Sequence, residues 1–351
     1  MRYAITAILL IGSLFLTNAE GWENPADRYA DAYKKYLGAG VPIPQDTISH
    51  FVYFARDRES MRTSAFLSNP RFTGAQIMYP WSSLEPERDK YDFTMILEDY
   101  QFLAKYGKKL FVQLQDATFR PEFNAVPLYL LSKEFDGGAI QQKDDRGVVE
   151  GWVAKRWNEK VRERFALLLK ALGKEFDGKI AGINLQETAI GVSTKDDLNL
   201  TGKSYVQAIK ANMLSMRKSF SKSITMQYAN FMIDEWLPWD DKGFLREIYQ
   251  YGEEIGVGLG GPDLLYTKKG QQNHMIAMMH EGKFTVPLGV AVQDGNYIGE
   301  TGSDKVLMKR TNIVPVLHAF AKDFLHIKYM FWSYQEPYFT EDVLPAFSIE
   351  R

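Results

Sequence analysis

The chain has 351 residues, 45% hydrophobic and 25% charged, with no cysteine and a formal net charge of -2. This is an ordinary globular balance, and the missing cysteines exclude a disulfide framework and any Cys-ligated metal or iron-sulfur centre. With 42 Lys plus Arg against 44 Asp plus Glu there is no basic excess to draw in nucleic acid, while 22 Phe, 19 Tyr and 7 Trp supply a thick core and aromatic surface for a ligand.

Met1 to Ala19 read as a secretory signal peptide. Arg2 precedes an apolar run from Ala4 to Leu16, and Thr17, Asn18 and Ala19 place polar and small residues at the expected cleavage point. That run is shorter than the ~20 residues of a spanning helix, and no later segment is long and apolar enough to cross a membrane. Without cysteine, a lipid anchor is not expected either. The mature chain, Glu20 to Arg351, is therefore expected to be secreted or periplasmic, without stable membrane insertion. The absence of disulfides suits a bacterial periplasm or exterior.

Eight short apolar runs follow: Ser49–Phe54, Gly74–Tyr79, Lys109–Leu114, Ile180–Leu185, Ser223–Tyr228, Ile255–Gly260, Val286–Val292 and Ile327–Trp332. Their β-branched and aromatic content and turn-forming borders predict buried strands. Amphipathic segments at Thr94–Tyr106, Lys155–Phe176, Ser204–Phe220 and Asp304–Phe324 precede the third, fourth, fifth and eighth runs. No linker or repeat divides the chain, so the alternation predicts one domain, a (β/α)8 barrel. Pro287 in the seventh run and the glycine-rich sixth run fit this least well. A long insertion after the third strand, about residues 117–156, carries Phe119, Phe123, Tyr129, Phe135 and Trp152 and is read as one wall of a cleft for an extended glycan. Its Lys133, Lys143 and Arg146 leave an acidic polysaccharide open.

In such a barrel the active face lies at the carboxyl ends of the strands. The residues gathered there are Arg56-Asp57, Pro80 to Glu85, Gln115-Asp116, Gln186-Glu187-Thr188, Asn230, Gly261-Pro262-Asp263, Gln293 to Asn296, and Ser333 to Glu336. Amides and carboxylates fix hydroxyl groups, flat rings cover apolar sugar faces, and paired acids transfer protons to a glycosidic bond. Glu187 reads as a general acid whose pKa is raised by burial near another carboxylate, the bland alternative being a solvated carboxylate at a strand end. Tyr79, Trp81, Gln115, Asp116, Gln186, Tyr228, Asn230, Asp263, Gln293 and Trp332 are the candidate substrate contacts. Trp81 and Trp332 also read as core fillers, and Trp332 as a platform under a sugar.

The phrase Tyr79-Pro80-Trp81-Ser82-Ser83-Leu84-Glu85-Pro86, followed by Lys90-Tyr91-Asp92-Phe93, resembles the second-strand region of clan A glycoside hydrolases. Gly182-Ile183-Asn184-Leu185-Gln186-Glu187 is similar to that clan's fourth-strand Asn-Glu pair, and Phe331-Trp332-Ser333 to its eighth-strand tryptophan. The resemblance implies that Glu187 is the general acid and base and that Trp332 floors a sugar subsite. It departs from the clan where the seventh strand should end in a nucleophilic Glu, since the residues there are Val292-Gln293-Asp294, and Gln186 stands where Asn is usual. Asp294, Glu336 from the eighth strand and Glu300 are alternatives for the second carboxylate, and loss of retaining hydrolysis is a fourth account.

Neither a zinc constellation nor an HExxH motif is present, and His274 and His280 are six apart, off one helical face. Asp144-Asp145 and Asp196-Asp197 lack the calcium-loop alternation, and Gly258 to Pro262 lacks the Lys-Ser/Thr of a phosphate loop. These glycines are read as close packing at the barrel rim. No catalytic metal or cofactor is expected. The sequence thus predicts an exported glycoside hydrolase acting on a poly- or oligosaccharide. The alternatives are a lyase on a uronate-containing glycan and a catalytically inactive glycan-binding barrel.

Overall fold

The computed structural model describes residues 24–293 and 310–348. The expected signal peptide, Asp294, Glu300 and the first residues of the predicted 304–324 helix lie outside the described residues.

In chain order the strands are β1 (Ser49–Tyr53), β2 (Gly74–Pro80), β3 (Lys109–Gln115), β4 (Ala117–Thr118), β5 (Ala139–Lys143), β6 (Val149–Ala154), β7 (Gly182–Leu185), β8 (Ile224–Tyr228), β9 (Gly258–Gly261), β10 (Leu288–Val292) and β11 (Tyr329–Ser333). Each of the eight predicted runs supplies one strand of a closed barrel in the order β1-β2-β3-β7-β8-β9-β10-β11, with β11 pairing back to β1 and every barrel pairing parallel. The helices are α1 (Arg58–Thr63), α2 (Trp81–Leu84), α3 (Thr94–Ala104), α4 (Glu159–Phe176), α5 (Gly202–Ser219), α6 (Phe244–Ile255), α7 (Lys269–Asn273), α8 (Met275–Glu281), α9 (Arg310–Asp323) and α10 (Leu344–Ala346). The long helices start on side-chain caps: Asn158 accepts from Val161 N ahead of α4, and Thr201 and Ser204 form a reciprocal box at α5. The chain is a (β/α)8 barrel, and among the described residues no helix is long and apolar enough to cross a membrane.

Strand side chains alternate between two cores because successive residues point to opposite faces. Val52, Ile77, Val112, Leu114, Ile183, Leu259, Val290 and Trp332 face outward into the layer packed under the helices. Phe51, Phe111, Met226, Tyr228, Ala291 and Phe331 fill the bore, where Phe111 meets Phe331 edge-on at 5.0 Å between ring centroids. Inward glycines make room for these rings. A Cβ on Gly182 would come within 2.6 Å of the Phe111 ring, and one on Gly260 within 2.9 Å of the Tyr228 ring. The glycine-rich β9 is therefore a strand whose missing side chains admit large neighbours into the bore, rather than packing at the rim. Pro287 ends one residue before β10, and its carbonyl accepts from Leu259 N at 3.1 Å, so its lack of an N–H costs the sheet nothing.

The insertion after β3 is itself folded. β4, β6 and β5 form a three-stranded antiparallel sheet. Buried Gln142 ties it down, donating to Thr118 O at 2.6 Å and accepting from Gly191 N at 3.1 Å in the loop after β7.

Candidate active site

At the carboxyl end of the bore lies a cavity of about 150 Å³ walled by Tyr53, Gln76, Gln113, Gln115, Gln186, Glu187, Tyr228 and Gln293, with Met78, Phe119, Pro262 and Ala291 filling the gaps. Five of the wall residues are glutamines. Gln76 donates to Asn184 Oδ1 at 2.9 Å and to the Tyr228 hydroxyl at 3.3 Å, which crosses the bore beneath the cavity. Gln115 donates to Ala117 O at 3.0 Å. The side-chain oxygens of Gln76, Gln113 and Gln115 are buried and have no partner, as does the Ser333 hydroxyl. A native core seldom leaves several such groups together, and their unmet capacity suits the hydroxyl groups of a ligand.

Glu187 is the carboxylate in this wall, and its surroundings are built to hold it. Asn230 at the end of β8 donates to Glu187 Oε2 at 2.7 Å. The Asn230 oxygen accepts from Ala189 N at 3.1 Å and Phe231 N at 3.0 Å, which fixes the amide so that its NH2 faces the carboxylate. Beneath, Arg156 donates to the Glu187 carbonyl at 2.7 Å and to the Tyr205 hydroxyl at 2.9 Å, and that hydroxyl donates to Thr188 O at 2.8 Å. Burial pushes the Glu187 pKa up to about 7. The Asn230 hydrogen bond opposes that rise, the charge of Asp263 adds to it, Arg156 opposes it and Glu150 adds to it. A carboxyl that gives and takes a proton near neutrality is suited to acid and base work. Burial also raises Tyr53 above the ordinary phenol range, against the pull of Arg56 and with further push from Asp263 and Glu187. Glu187, Tyr53 and Asp263 thus act on one another electrostatically.

The sequence-derived candidates divide by where their strands aim them. Gln115, Gln186, Glu187, Tyr228 and Gln293 line the cavity; Asn230 grips Glu187, and Asp263 bears on it through its charge. Gln186 also staples two strand ends, its oxygen accepting from Asp116 N at 2.8 Å and Ala117 N at 2.7 Å. Five other candidates point elsewhere. Tyr79 is on the outward face of β2, buried, donates to Asp99 at 2.8 Å and lines a second cavity beside the first. Trp81 is buried and donates to Glu85 at 2.9 Å; Glu85 also accepts from Asp89 N at 3.1 Å and pairs with Arg164 of α4. The Trp81-to-Glu85 phrase is here a buried staple between the barrel and a helix. Both oxygens of buried Asp116 accept from Arg156 at 2.7 Å, so Asp116 positions the arginine, and it does not line the cavity.

Trp332 corrects the platform expectation. It follows Phe331, which points into the bore, so alternation turns it outward, where it is fully buried and donates to His50 Nδ1 at 3.2 Å. Glu336 is exposed and caps its own turn, accepting from the Thr340 hydroxyl at 2.6 Å. It does not line the cavity. Asp294 follows a cavity residue but lies outside the described residues.

Tyr53, Gln76 and Gln113 are cavity residues that the sequence reading did not single out. Their signal is parity, since counting by twos from Phe51 and Phe111 reaches Tyr53 and Gln113 on the same inward face. Arg156 and Tyr205, which hold the base of Glu187, had no local signal.

One further cluster has the composition of a metal site. Asp46, His50 and His318 bring a carboxylate and two imidazoles within 4.8 Å of one another. An indole nitrogen only donates, so the Trp332 contact makes His50 Nδ1 an acceptor and puts the ring proton on Nε2, which faces Asp46 Oδ2 at 3.4 Å. Binding an ion through that nitrogen would require an imidazolate. The same Asp46 oxygen meets His318 Nε2 at 2.7 Å, and Ile48 N donates to the other at 2.6 Å. The group is a closed hydrogen-bond network.

Neither the family models nor the curated proteins contain a match to this chain. Solved structures do resemble it. The catalytic domain of β-amylase from Paenibacillus polymyxa aligns over 82% of this chain and 92% of its own, with 9% identity and a TM-score of 0.56. A family 39 glycoside hydrolase from Bacteroides cellulosilyticus aligns over 83% of this chain and 58% of its own, with 10% identity and a TM-score of 0.52. Endo-glycoceramidase II from Rhodococcus sp. in a cellobiose-like imidazole complex aligns over 84% and 75%, with 11% identity and a TM-score of 0.51. At these identities the likeness is one of fold, a (β/α)8 barrel of the kind on which several distinct glycosidases are built.

Proposed function

We propose that the protein is a glycoside hydrolase in which Glu187 protonates the leaving glycosidic oxygen. The observation that carries this reading is a single one: at the end of the fourth barrel strand, in a cavity walled by side-chain amides, a carboxyl held by Asn230 has its pKa pushed up to about 7. Hydroxyl-rich ligands match that wall, since each amide offers both a donor and an acceptor. On the same face, the loop from β8 to α6 exposes Trp236 and Trp239, flat surfaces of the sort that sugars stack upon. Asp263 is the described carboxylate whose charge acts most on Glu187 and is the candidate to direct an attacking water, with Asp294 as the alternative. The expected reaction adds one water per bond cleaved. We further propose that residues 1–19 export the chain to the periplasm or the exterior, to be checked by the amino-terminal sequence of the mature protein.

A second reading, a glycan-binding barrel without turnover, is favoured by one observation: among the described residues lining the cavity, Glu187 is the only carboxylate. Mass spectrometry of products from a broad panel of polysaccharides, with wild type beside Glu187→Gln, separates the two. Fragments heavier by one water per cut that vanish in the variant support hydrolysis. Unsaturated fragments move the case to a lyase, and binding without fragments moves it to the second reading.

A further inference from the structure

A second cavity, of about 470 Å³, adjoins the first. It is walled by Arg56, Arg58, Arg120, Glu122 and Phe123, and Met78 belongs to both. The arginines differ in kind. Arg58 is neutralised, with Nε on Asp99 at 2.6 Å and Nη2 on Glu98 at 2.7 Å. Arg56 lies over the Phe123 ring at 4.1 Å, and its Nη1 is buried without a hydrogen-bond partner. Burial and the nearby charge of Arg120 both weaken its hold on its proton, with Tyr53 and Glu122 opposing. Arg56 and Arg120 face a space whose lining holds one acid, the exposed Glu122, so the positive charge is only partly answered in the empty protein, and a partly buried guanidinium is usually paired. An anion entering that space would relieve both conditions, and guanidinium forks match planar and tetrahedral oxyanions in two-point contacts. Two other basic residues of the insertion are already paired, Lys143 with Asp196 and Arg146 with Asp144. Tyr53 links the two cavities, since it lines the first and feels both Arg56 and Glu187.

We infer that the second cavity is a subsite for an anionic substituent, a carboxylate or a sulfate ester, carried by the glycan whose linkage lies at Glu187. The substrate class is then acidic. This inference rests on the glycan reading above, and its test is arranged so that the two can fail separately. Glu187→Gln protein, which binds without cleaving, is titrated calorimetrically with neutral xylo- and cello-oligosaccharides, with uronate-containing oligosaccharides and with sulfated oligosaccharides, at low and high salt. Arg56→Gln, Arg56→Lys and Arg120→Gln are made in the same background, with thermal unfolding to confirm their folding. Arg120 is exposed, so its variant tests the site without disturbing the interior.

At least one acidic set should bind tenfold or more tightly than the neutral sets, and whether it is uronate or sulfate names the source. Arg56→Gln should abolish that preference, Arg120→Gln should reduce it, Arg56→Lys should restore part of it, and salt should weaken it. Equal binding of neutral and acidic sets, no binding of any acidic set, or a preference untouched by Arg56→Gln overturns the subsite. If neutral glycans are cleaved in a Glu187-dependent way while the Arg56 variants change nothing, hydrolysis stands and the subsite falls. If acidic oligosaccharides bind through Arg56 but the wild type cleaves none of the panel, the subsite stands and hydrolysis falls.

Discussion

Two buried polar clusters sit on opposite sides of the barrel wall, and they are finished to different degrees. Outside the wall, Asp46, His50, His318 and Trp332 close on one another between β1, β11 and α9, and the donors and acceptors that hold the group together are matched. Inside, at the carboxyl end of the bore, three glutamine oxygens are buried unmatched in the cavity that Glu187 lines. A buried polar group without a partner costs about 1–3 kcal/mol. Unmet groups also occur elsewhere, as at Gln271, Gln272 and Asn273 of α7, but those of Gln76, Gln113 and Gln115 share one cavity with Glu187. The closed cluster is suited to stability, and the open one to the binding proposed above.

The largest expected effect falls on the open side. Glu187→Gln should lower kcat by about a thousandfold on any substrate the wild type cleaves, with the melting temperature unchanged or raised; full activity in this variant would remove Glu187 from the mechanism. On the closed side, Asp46→Ala should cost about 3 kcal/mol in urea unfolding by stranding two imidazoles, while activity per folded molecule stays within twofold. The two histidines hold the Asp46 carboxyl well below the usual carboxylate range, against the pull of burial. Its stabilising contribution is therefore present above the ordinary carboxylate pKa and lost on acidification.

Glu187 has the opposite sign. Its pKa in the folded protein, about 7 against an ordinary 4.5, means that its contribution is full below 4.5 and disappears as pH rises through 7. Wild type should lose about 3 kcal/mol relative to Glu187→Gln between pH 4.5 and 8, read from urea midpoints at each pH. Parallel curves would place the carboxyl in a more solvated setting. Asn230→Ala should lower kcat about tenfold, the scale of one lost hydrogen bond to a charged group. Because the Asn230 bond favours the ionised form, its loss should move the alkaline limb of the rate profile to higher pH. The smallest effect sharpens the contrast best: Gln113→Leu, which removes an unmatched oxygen, should leave stability unchanged or raise it by up to about 1 kcal/mol, while weakening ligand binding.

Much of the barrel was legible because parallel strands enclosed on both faces must be apolar over their length. Each of the eight runs announced itself that way, even the glycine-rich one. The site was less legible, because being at a strand's carboxyl end does not say which way a side chain points. Tryptophan and tyrosine draw the eye in Tyr79 and Trp332, yet both fall on the outward parity. The plainer Gln76 and Gln113 fall inward and build the cavity. Glu187 and Asn230 were found since each stands just past a strand end, in the fourth and fifth turns around the barrel. Asp116 and Arg156, forty positions apart, form a pair that no local pattern in the sequence could announce, because the folded insertion brings them together.

That insertion has a consequence for anyone who wishes to re-engineer the rim. Arg156 leaves the small antiparallel sheet and goes directly beneath Glu187, grasping its carbonyl at 2.7 Å and Asp116 at 2.7 Å. Loops on such barrels are commonly treated as interchangeable parts mounted on a fixed chassis. Here the part and the chassis share a bolt, so a graft that replaces residues 117–156 must bring its own arginine at the last position or leave Glu187 unsupported.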